Sequence, residues 1–183
     1  MNKPDNFDLH MRKGFSLVEM LVVIFIFSIL GVVTTQSLAL SLRGSKKSES
    51  IGAVKENLEY TVSTMERLLR NAKSIDVTAC NASQNRLDYV DEYGVSAYFE
   101  CSNADARVAS GSATTSTIMT SNQVEILCSA AGYSPFSCQE SADPNSPPSV
   151  SIELHGRDAD LGSGVEGADV TVKTKVLLRT YKY

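Results

Sequence analysis

The feature that most constrains this sequence is an uncharged apolar run close to its start. From Met20 to Leu42 no residue is charged, and the run begins MLVVIFIFSILGVV. A helix needs about 20 apolar residues to cross the roughly 30 Å hydrocarbon core of a bilayer. The 23 residues of this run therefore predict a membrane-spanning helix.

The charges on either side of the run bear on its orientation. Arg12 and Lys13 precede it and would hold that end in the cytoplasm. The basic residues that follow on the far side are Arg43, Lys46 and Lys47, so the rule is not satisfied cleanly. Taken alone, the run fits a signal peptide, a plain membrane anchor or a more specialised segment.

Glu19 separates these alternatives. A carboxylate within a membrane segment costs about 2.5–3.5 kcal/mol on insertion scales, so it normally has a functional partner. If the helix starts at Phe15, the positive end of the helix dipole gives Glu19 partial relief. A free α-amino group at Phe15, especially one from a neighbouring subunit, would be a better partner. That pairing requires a cut between Gly14 and Phe15.

The segment Arg12–Val23 reads RKGFSLVEMLVV and resembles the class III signal of type IV prepilins and pseudopilins. The resemblance implies cleavage by a cytoplasmic-side prepilin peptidase, N-methylation, and bundling of the helix into a filament. The residues that carry it are the basic pair Arg12 and Lys13, Gly14 before the cut, Phe15 as the methylated N-terminus, and the assembly residue Glu19. The alternative is a secretory signal cut near Ser37–Leu38–Ala39, but an apolar region of about 7–15 residues has no use for Glu19.

Beyond the run, the pattern predicts that the helix continues onto a globular head. Gly44 and Gly52 predict a soft joint at the membrane exit. No proline occurs between Asp5 and Ser134, so one helix can extend from Phe15 to about Ser74. An apolar stripe with steps of three and four indicates packing on a core, with a coiled-coil seam as the alternative. Its residues are Ile51, Val54, Leu58, Val62, Met65, Leu68, Leu69, Ala72 and Ile75.

The remaining sequence predicts an antiparallel β head. Leu87–Val90 and Val95–Cys101 flank Asp91–Gly94 and are typical of a hairpin in which Gly94 supplies the positive φ. The other predicted strands are Val124–Cys128, Val150–Leu154 and Asp169–Tyr181, and the predicted loops are Ala104–Asn122 and Gln139–Ser149. The predicted fold class is therefore α+β, the pilin fold that the N-terminal resemblance implies. Its predicted divisions are a leader (1–14), a transmembrane helix (15–42), an amphipathic helix (43–75) and a head (76–183).

The four cysteines, Cys80, Cys101, Cys128 and Cys138, all lie in the predicted head. They contain no CxxC pair, so a metal site is not expected. An even number in an exported domain predicts two disulfides, with three possible connectivities. We expect Cys80–Cys101, because opposing Val90 to Val95 would bring Cys101 near Gln84, and Cys128–Cys138, because these two bracket a nine-residue turn.

Other candidate sites have simpler interpretations. The acidic set at 158–169 fails the EF-hand spacing and is interpreted as a solvated turn. His155 has no nucleophile in a recognisable motif and is interpreted as a surface histidine. The triplet at Asn81 matches a glycosylation sequon that is common by chance. The sequence therefore predicts no enzyme, no cofactor and no metal.

The leading hypothesis is a structural subunit, a minor pilin or pseudopilin of a type IV pilus or type II secretion filament. It would be a single-pass inner-membrane protein with an extracytoplasmic head, and then a filament subunit at the cell surface. Its expected partners are other pilin subunits, the prepilin peptidase and the inner-membrane assembly platform.

Within the family, Met65–Ile75 and Val176–Tyr181 resemble W-type minor pilins and J-type pseudopilins, which implies a position at the filament tip. The alternatives are a pilin-like adhesin, a DNA-uptake pilin, or a membrane-anchored or secreted enzyme. The net charge of −4 does not favour nucleic acid.

Overall fold

The computed structural model describes residues 14–82, 85–129, 133–140, 147–160 and 169–179. Contacts divide the chain into two compact units, Met1–Arg43 and Gly44–Tyr183. The helices are α1 (Leu17–Arg70) and α2 (Val77–Ala82). The strands are β1 (Ser74–Ile75), β2 (Arg86–Val90), β3 (Ser96–Ser102), β4 (Arg107–Ser112), β5 (Ser116–Ile118), β6 (Val124–Ile126), β7 (Phe136–Gln139), β8 (Ser149–Asp158) and β9 (Asp169–Leu177).

The long N-terminal helix is confirmed, and it is followed by antiparallel strands in two sheets. The first sheet has the order β1-β2-β3-β4-β5. In the second, β8 pairs with β9 along one edge, while β6 and β7 pair with successive parts of its other edge. This is the predicted α+β, pilin-like architecture.

One hydrophobic core joins α1 to both sheets. The helix buries Val54, Leu58, Val62, Met65 and Leu69, which recur at steps of three and four. Alternate residues of the strands supply the other side, because successive side chains of a strand point to opposite faces. They include Leu87, Phe99, Val108, Ile126, Phe136, Val150, Ile152, Leu154 and Val176. The predicted stripe is therefore largely buried, although Ile51 and Leu68 are 38% and 36% exposed.

The helix packs on β8 at a glycine. A Cβ placed on Gly156 would stand 3.1 Å from both methyl carbons of Leu58, which is itself fully buried. Ser50 Oγ also donates a 2.7 Å hydrogen bond to Asp158 Oδ2 at the end of the same strand. The absence of a side chain at Gly156 thus lets the helix approach the sheet.

Helix α1 ends before the predicted boundary at residue 75. Ser74 and Ile75 instead form strand β1, pairing with Val90 and Tyr89 of β2. The backbone N–H of Lys73 also donates to the carbonyl of Val90, at 2.9 Å. Pairing with the sheet therefore replaces the last helical turn that the periodicity predicted.

The predicted hairpin forms, with its register shifted by one residue. Val90 pairs with Ser96, not with Val95. The carboxylate of Asp91 accepts hydrogen bonds from the backbone N–H groups of Tyr93 and Val95, at 2.9 and 2.8 Å. Gly94 has a φ of +87°, as predicted. The Asx-type turn sets the register, because its side-chain hydrogen bonds fix which residues close the loop.

The prediction that 104–122 is a loop is wrong. Strand β4 pairs along its full length with β3, and β5 pairs with β4. Serine, threonine, alanine and glycine dominate this segment and give only weak alternation, so neighbouring strands, not local pattern, determine the structure. Of the other predicted loop, 139–149, residues 141–146 lie outside the described part of the chain.

Two disulfides form, as predicted, but the expected pairing is wrong. The bridges are Cys80–Cys138 and Cys101–Cys128. The Cys101 side chain lies on the buried face of β3, and Cys80 lies in α2, which contacts β7. Each bridge therefore links the first half of the head to the second half, to β7 of the second sheet for Cys138 and to the segment just after β6 for Cys128. The prediction had instead closed the shortest loops in the sequence.

Candidate assembly site

The predicted assembly residues lie at the start of α1. Gly14 and Phe15 precede the helix, and Phe15 is 76% exposed. The first helical hydrogen bond runs from the N–H of Met20 to the carbonyl of Ser16, at 3.2 Å. Glu19 stands in the first turn, where the positive end of the helix dipole favours a carboxylate. The structure thus places Phe15 and Glu19 at one helix end, whereas Arg12 and Lys13 lie outside the described residues.

Three hydroxyl groups further along the apolar run are satisfied within the helix itself. The hydroxyls of Ser28, Thr34 and Thr35 each donate to a carbonyl four residues earlier, all at 2.8 Å. Such bonds let hydroxyl groups enter a medium that offers no water. Glu19 is the one ionisable residue between Leu17 and Leu42, and no described side chain pairs with it.

Among the described residues, one helix, α1, is long and apolar enough to cross a membrane. Within the described residues, none of its most apolar stretch is buried. Exposure of so large an apolar surface normally marks contact with a membrane or a partner. A secretory signal would meet the same criteria of length and composition. Glu19 and the residues before it therefore distinguish a prepilin-type helix from a secretory signal.

The outward face of the second sheet holds a polar network around His155. Its Nε2 lies 3.0 Å from Glu153 Oε1, and its Nδ1 lies 3.0 Å from Thr171 Oγ1. The Tyr133 hydroxyl donates to the Glu153 carbonyl at 2.7 Å and accepts from the His155 N–H at 3.2 Å. Lys173 Nζ contacts the second carboxylate oxygen of Glu153 at 2.7 Å. The prediction of a surface histidine did not include these neighbours. The alternation of residues along β8 and β9 could have indicated them, because His155 pairs with Thr171 and Glu153 with Lys173.

The electrostatics of this network indicate a structural role. Hydrogen bonds from Lys173 and then His155 lower the pKa of Glu153. Burial raises the pKa of Tyr133 to about 12, partly opposed by its hydrogen bond with the His155 backbone. The Thr171 hydroxyl, the His155 imidazole and the Glu153 carboxylate form a hydrogen-bonded chain of the kind found in some catalytic sites. Here the three groups lie on two paired strands of an open sheet face. Cross-strand pairing explains the arrangement.

A second network lies on the first sheet. The Arg86 guanidinium lies 3.9 Å from the ring centroid of Tyr98 and forms ion pairs with Asp88 and Glu100 at 3.0 and 3.5 Å. Its hydrogen bond to Asp88 raises the pKa of Arg86. Tyr98 in turn lies over Gly111 of the paired strand. These contacts hold β2, β3 and β4 together and need no ligand to explain them.

The acidic segment at 158–169 is largely outside the described residues, including Glu166. Asp158 accepts from Ser50, as noted above, and also from the N–H of Asp160 at 2.9 Å. No group of three metal-binding side chains occurs in the part of the chain that the structure describes. Asn81, the sequon residue, accepts a hydrogen bond from the Cys138 N–H at 3.2 Å and so helps to fix α2 against β7.

Residues 9–35 match the family model described as the prokaryotic N-terminal methylation motif. The match includes Gly14, Phe15 and Glu19, and it is the class III signal of type IV pilins and pseudopilins. Comparison with curated proteins and with solved structures gives no significant match. Together with the exposed apolar helix, the motif fits a membrane-anchored, pilin-like structural protein.

Proposed function

We propose that this chain is a minor pilin or pseudopilin, a structural subunit of a type IV pilus or type II secretion-like filament. The observation that carries the proposal is the match to the N-terminal methylation motif at the start of an exposed apolar helix. Prepilin peptidase would cut after Gly14, and Phe15 would become the methylated N-terminus. The α1 helices of neighbouring subunits would then bundle, with the assembly platform of the inner membrane as the site of entry.

The chemistry of Glu19 supports assembly over simple anchoring. An α-amino group has an ordinary pKa of about 7.7–8.0, so the new terminus would be largely protonated at neutral pH. Pairing this cation with the Glu19 carboxylate of a neighbour removes the cost of an isolated charge in hydrocarbon. A plain anchor would lose nothing by replacing Glu19 with an apolar residue.

The mature N-terminus is the first test. Mass spectrometry of the protein recovered from membranes should identify N-methyl-Phe15. A Gly14→Arg variant should remain uncut and migrate more slowly, because the side chain blocks close approach at the scissile position. A mature start near Leu40 would instead indicate ordinary secretion, and normal processing of the Gly14 variant would contradict the peptidase assignment.

Glu19→Ala tests assembly separately. This change should abolish incorporation into filaments and leave membrane insertion intact, because it removes a charge that opposes insertion by about 2.5–3.5 kcal/mol. Gln36→Ala, at another polar position of the same run, is the matched control and should assemble normally. Filaments that contain Glu19→Ala at the normal level would remove the role assigned to this carboxylate.

Two of the alternatives, a pilin-like adhesin and a DNA-uptake pilin, would assemble through Glu19 in the same way, whereas an enzyme would not need this carboxylate. Removal of residues 1–14 takes away three basic and two acidic residues, which leaves 14 basic and 19 acidic side chains and a formal charge of −5. That charge argues against a DNA-uptake pilin. A pilin-like adhesin would differ in what the head contacts, and an enzyme would gain nothing from Glu19.

A further inference from the structure

Three basic residues stand directly after the uncharged run of α1, and together they are called the basic collar. Arg43, Lys46 and Lys47 follow Leu42 within five residues, and all three are exposed. Lys46 and Lys47 lie three and four residues after Arg43, a spacing that brings side chains to the same side of a helix. One side of α1 thus carries three positive charges within little more than one turn.

The basic collar lies where basic residues are normally disfavoured. In the proposed topology it is extracytoplasmic, whereas cations that flank a membrane helix are enriched on the cytoplasmic side. Cleavage after Gly14 would also remove Arg12 and Lys13. The side-chain cations nearest to the membrane run would then all be extracytoplasmic. Cations retained there against the general bias indicate a local anionic partner.

The length of the basic collar matches the thickness of the headgroup layer. A bilayer measures about 40–45 Å with its headgroups and about 30 Å without them, so each headgroup layer is about 5–8 Å thick. At 1.5 Å per residue, Arg43 and Lys47 lie about 1.5 and 7.5 Å beyond Leu42 along the helix. When the uncharged run fills the hydrocarbon, the three cations therefore lie at the level of the phosphates.

The nearest carboxylates of the head lie above this layer. Glu49 is seven residues after Leu42, or about 10 Å along the helix. It lines a cleft of about 430 Å³ together with Asp158 and Asp160. Asp158 accepts a hydrogen bond from Ser50, which places it at a similar level. Cations and carboxylates are thus separated by depth, with the cations next to the bilayer.

Lys46 connects the basic collar to this acidic cleft. It lines the cleft, yet among the described residues neither Lys46 nor Lys47 forms an ion pair. A lysine side chain is long and flexible, so its ammonium group can extend to the membrane interface. An anionic headgroup would be attracted by the collar and repelled by the carboxylates above it. The two effects together define one level for the bound group.

The side of α1 on which the basic collar lies favours a lipid as its partner. Steps of three and four lead from Lys47 to Ser50, Val54 and Leu58, all of which are buried. Lys47 therefore continues the buried stripe toward the membrane, on the side of the helix that the head covers further along. At the level of the collar, the surroundings on that side are the surface of the bilayer.

We propose that the basic collar binds anionic phospholipid headgroups in the outer leaflet of the cytoplasmic membrane and thereby fixes the depth of α1. Phosphate oxygens would accept hydrogen bonds from the Arg43 guanidinium and the two lysine ammonium groups. Helix α1 begins at Leu17, 26 residues and so about 39 Å before Arg43. The Gly14–Phe15 bond would then lie at the cytoplasmic surface, where a peptidase can reach it. This consequence rests on the proposed function, whereas headgroup binding does not.

Lipid selectivity tests the basic collar in the full-length chain, reconstituted in vesicles. The sequence contains no tryptophan, so Leu40→Trp, three residues before Arg43, introduces a single fluorescent probe on the same side of the helix. Brominated phosphatidylcholine quenches the probe, and unbrominated phosphatidylglycerol bound at the collar should relieve the quenching. In about 0.1 M NaCl we expect a preference for phosphatidylglycerol of about fivefold or more, since each basic residue near an anionic surface contributes about that factor. In about 1 M NaCl the preference should fall below about twofold.

Two triple variants, which lose the same charge, locate this preference. The collar variant carries Arg43→Gln, Lys46→Gln and Lys47→Gln. The control variant carries Lys55→Gln, Arg67→Gln and Lys73→Gln. The collar variant should lose the preference. The control variant should keep it, because even Lys55 lies about 20 Å beyond Leu42, or about two Debye lengths in 0.1 M salt. Circular dichroism and a disulfide map confirm that both variants fold.

Cleavage in the source bacterium tests the depth of the helix. Pulse–chase labelling should show that the collar variant is cut after Gly14 about threefold or more slowly than the wild type, because a displaced scissile bond is poorly aligned with the catalytic groups of the peptidase. The control variant should be cut at the rate of the wild type. Normal cleavage of a collar variant that has lost its lipid preference would overturn the depth-setting role.

The remaining outcomes separate headgroup binding from the function proposed above. Headgroup binding is overturned by a wild type without lipid preference, by equal losses in the collar and control variants, or by a preference that survives high salt. A millimolar excess of inorganic phosphate at constant ionic strength should leave the preference unchanged, and its loss would assign the collar to a soluble anion instead. A wild type that is never cut after Gly14 contradicts the proposed function, while the vesicle measurement still decides whether the collar binds lipid.

Discussion

The disulfide connectivity makes a quantitative prediction about the stability of the head. Cys80–Cys138 spans 58 residues and Cys101–Cys128 spans 27. Loop-closure entropy gives each bridge a stabilisation that grows with the loop it closes, about 4 kcal/mol for the longer and about 3.5 kcal/mol for the shorter. The pairing expected from sequence would close loops of about 21 and 10 residues, worth about 3.3 and 2.7 kcal/mol.

Two double variants measure these values in detergent micelles. Cys80→Ala with Cys138→Ala should lower Tm by about 8–16 °C, and Cys101→Ala with Cys128→Ala by about 7–14 °C, at about 2–4 °C per kcal/mol. Replacing both members of a pair avoids a free thiol that could exchange. Circular dichroism follows the unfolding, and the wild type after complete reduction should be at least as destabilised as either variant.

The connectivity itself has a direct test. Peptide mapping without reduction should recover Cys80 linked to Cys138 and Cys101 linked to Cys128. A peptide joining Cys80 to Cys101 would refute the observed topology. With the map as expected, a Tm loss below about 2 °C in either variant would refute the loop-entropy reasoning, since it corresponds to about 1 kcal/mol or less.

Two further predictions concern the exposed faces of the sheets. Gly111→Ala should destabilise the head by about 1–3 kcal/mol in thermal unfolding, because its Cβ would stand 2.6 Å from the Tyr98 hydroxyl oxygen. The control is Gly52→Ala in helix α1, whose Cβ meets nothing within 4 Å and which should leave the Tm unchanged or raise it. A Gly111→Ala variant with the Tm of the wild type would contradict the predicted clash. Lys173 lowers the pKa of Glu153, so the stabilisation from Glu153 is complete above the ordinary glutamate pKa and is lost as pH falls through the lowered folded value. The Tm difference between wild type and Glu153→Gln should therefore shrink from pH 7 to pH 3, and a constant difference would show that ionisation is irrelevant there.

The sequence predicted those parts of the fold in which local pattern and burial agree. The helical periodicity around Leu58 and the alternation in Asp169–Leu177 both reflect one buried and one wet face, so each could be recognised without knowing its partner. Arg107–Ser112 could not, because its small polar residues acquire strand structure through pairing with β3. The one-residue register error has a similar origin, since the side chain of Asp91 determines which residues close the turn.

The cysteine pairing required information that spacing does not contain. Cys128 and Cys138 are close in sequence, yet β6 and β7 pair with opposite ends of β8. That arrangement separates the two cysteines and directs each toward the first half of the head. The assembly motif differs, because cleavage and charge pairing need only the short spacing from Gly14 to Glu19, which the sequence displays directly.

The exposed face of α1 between Lys46 and Arg70, opposite the buried stripe, lies between these two cases. Its charges are visible in the sequence, but their grouping on one surface depends on which side of the helix is buried. Leu58 settles this, because it is fully buried and its methyl carbons would lie only 3.1 Å from a Cβ placed on Gly156. Ser50, bonded to Asp158 near the start of the packed stretch, fixes the same side. Rotation of the helix about its axis would break both contacts, so the packing that stabilises the head also holds Tyr60 and the charges around it outward. The fold of the head therefore determines which side of α1 remains exposed.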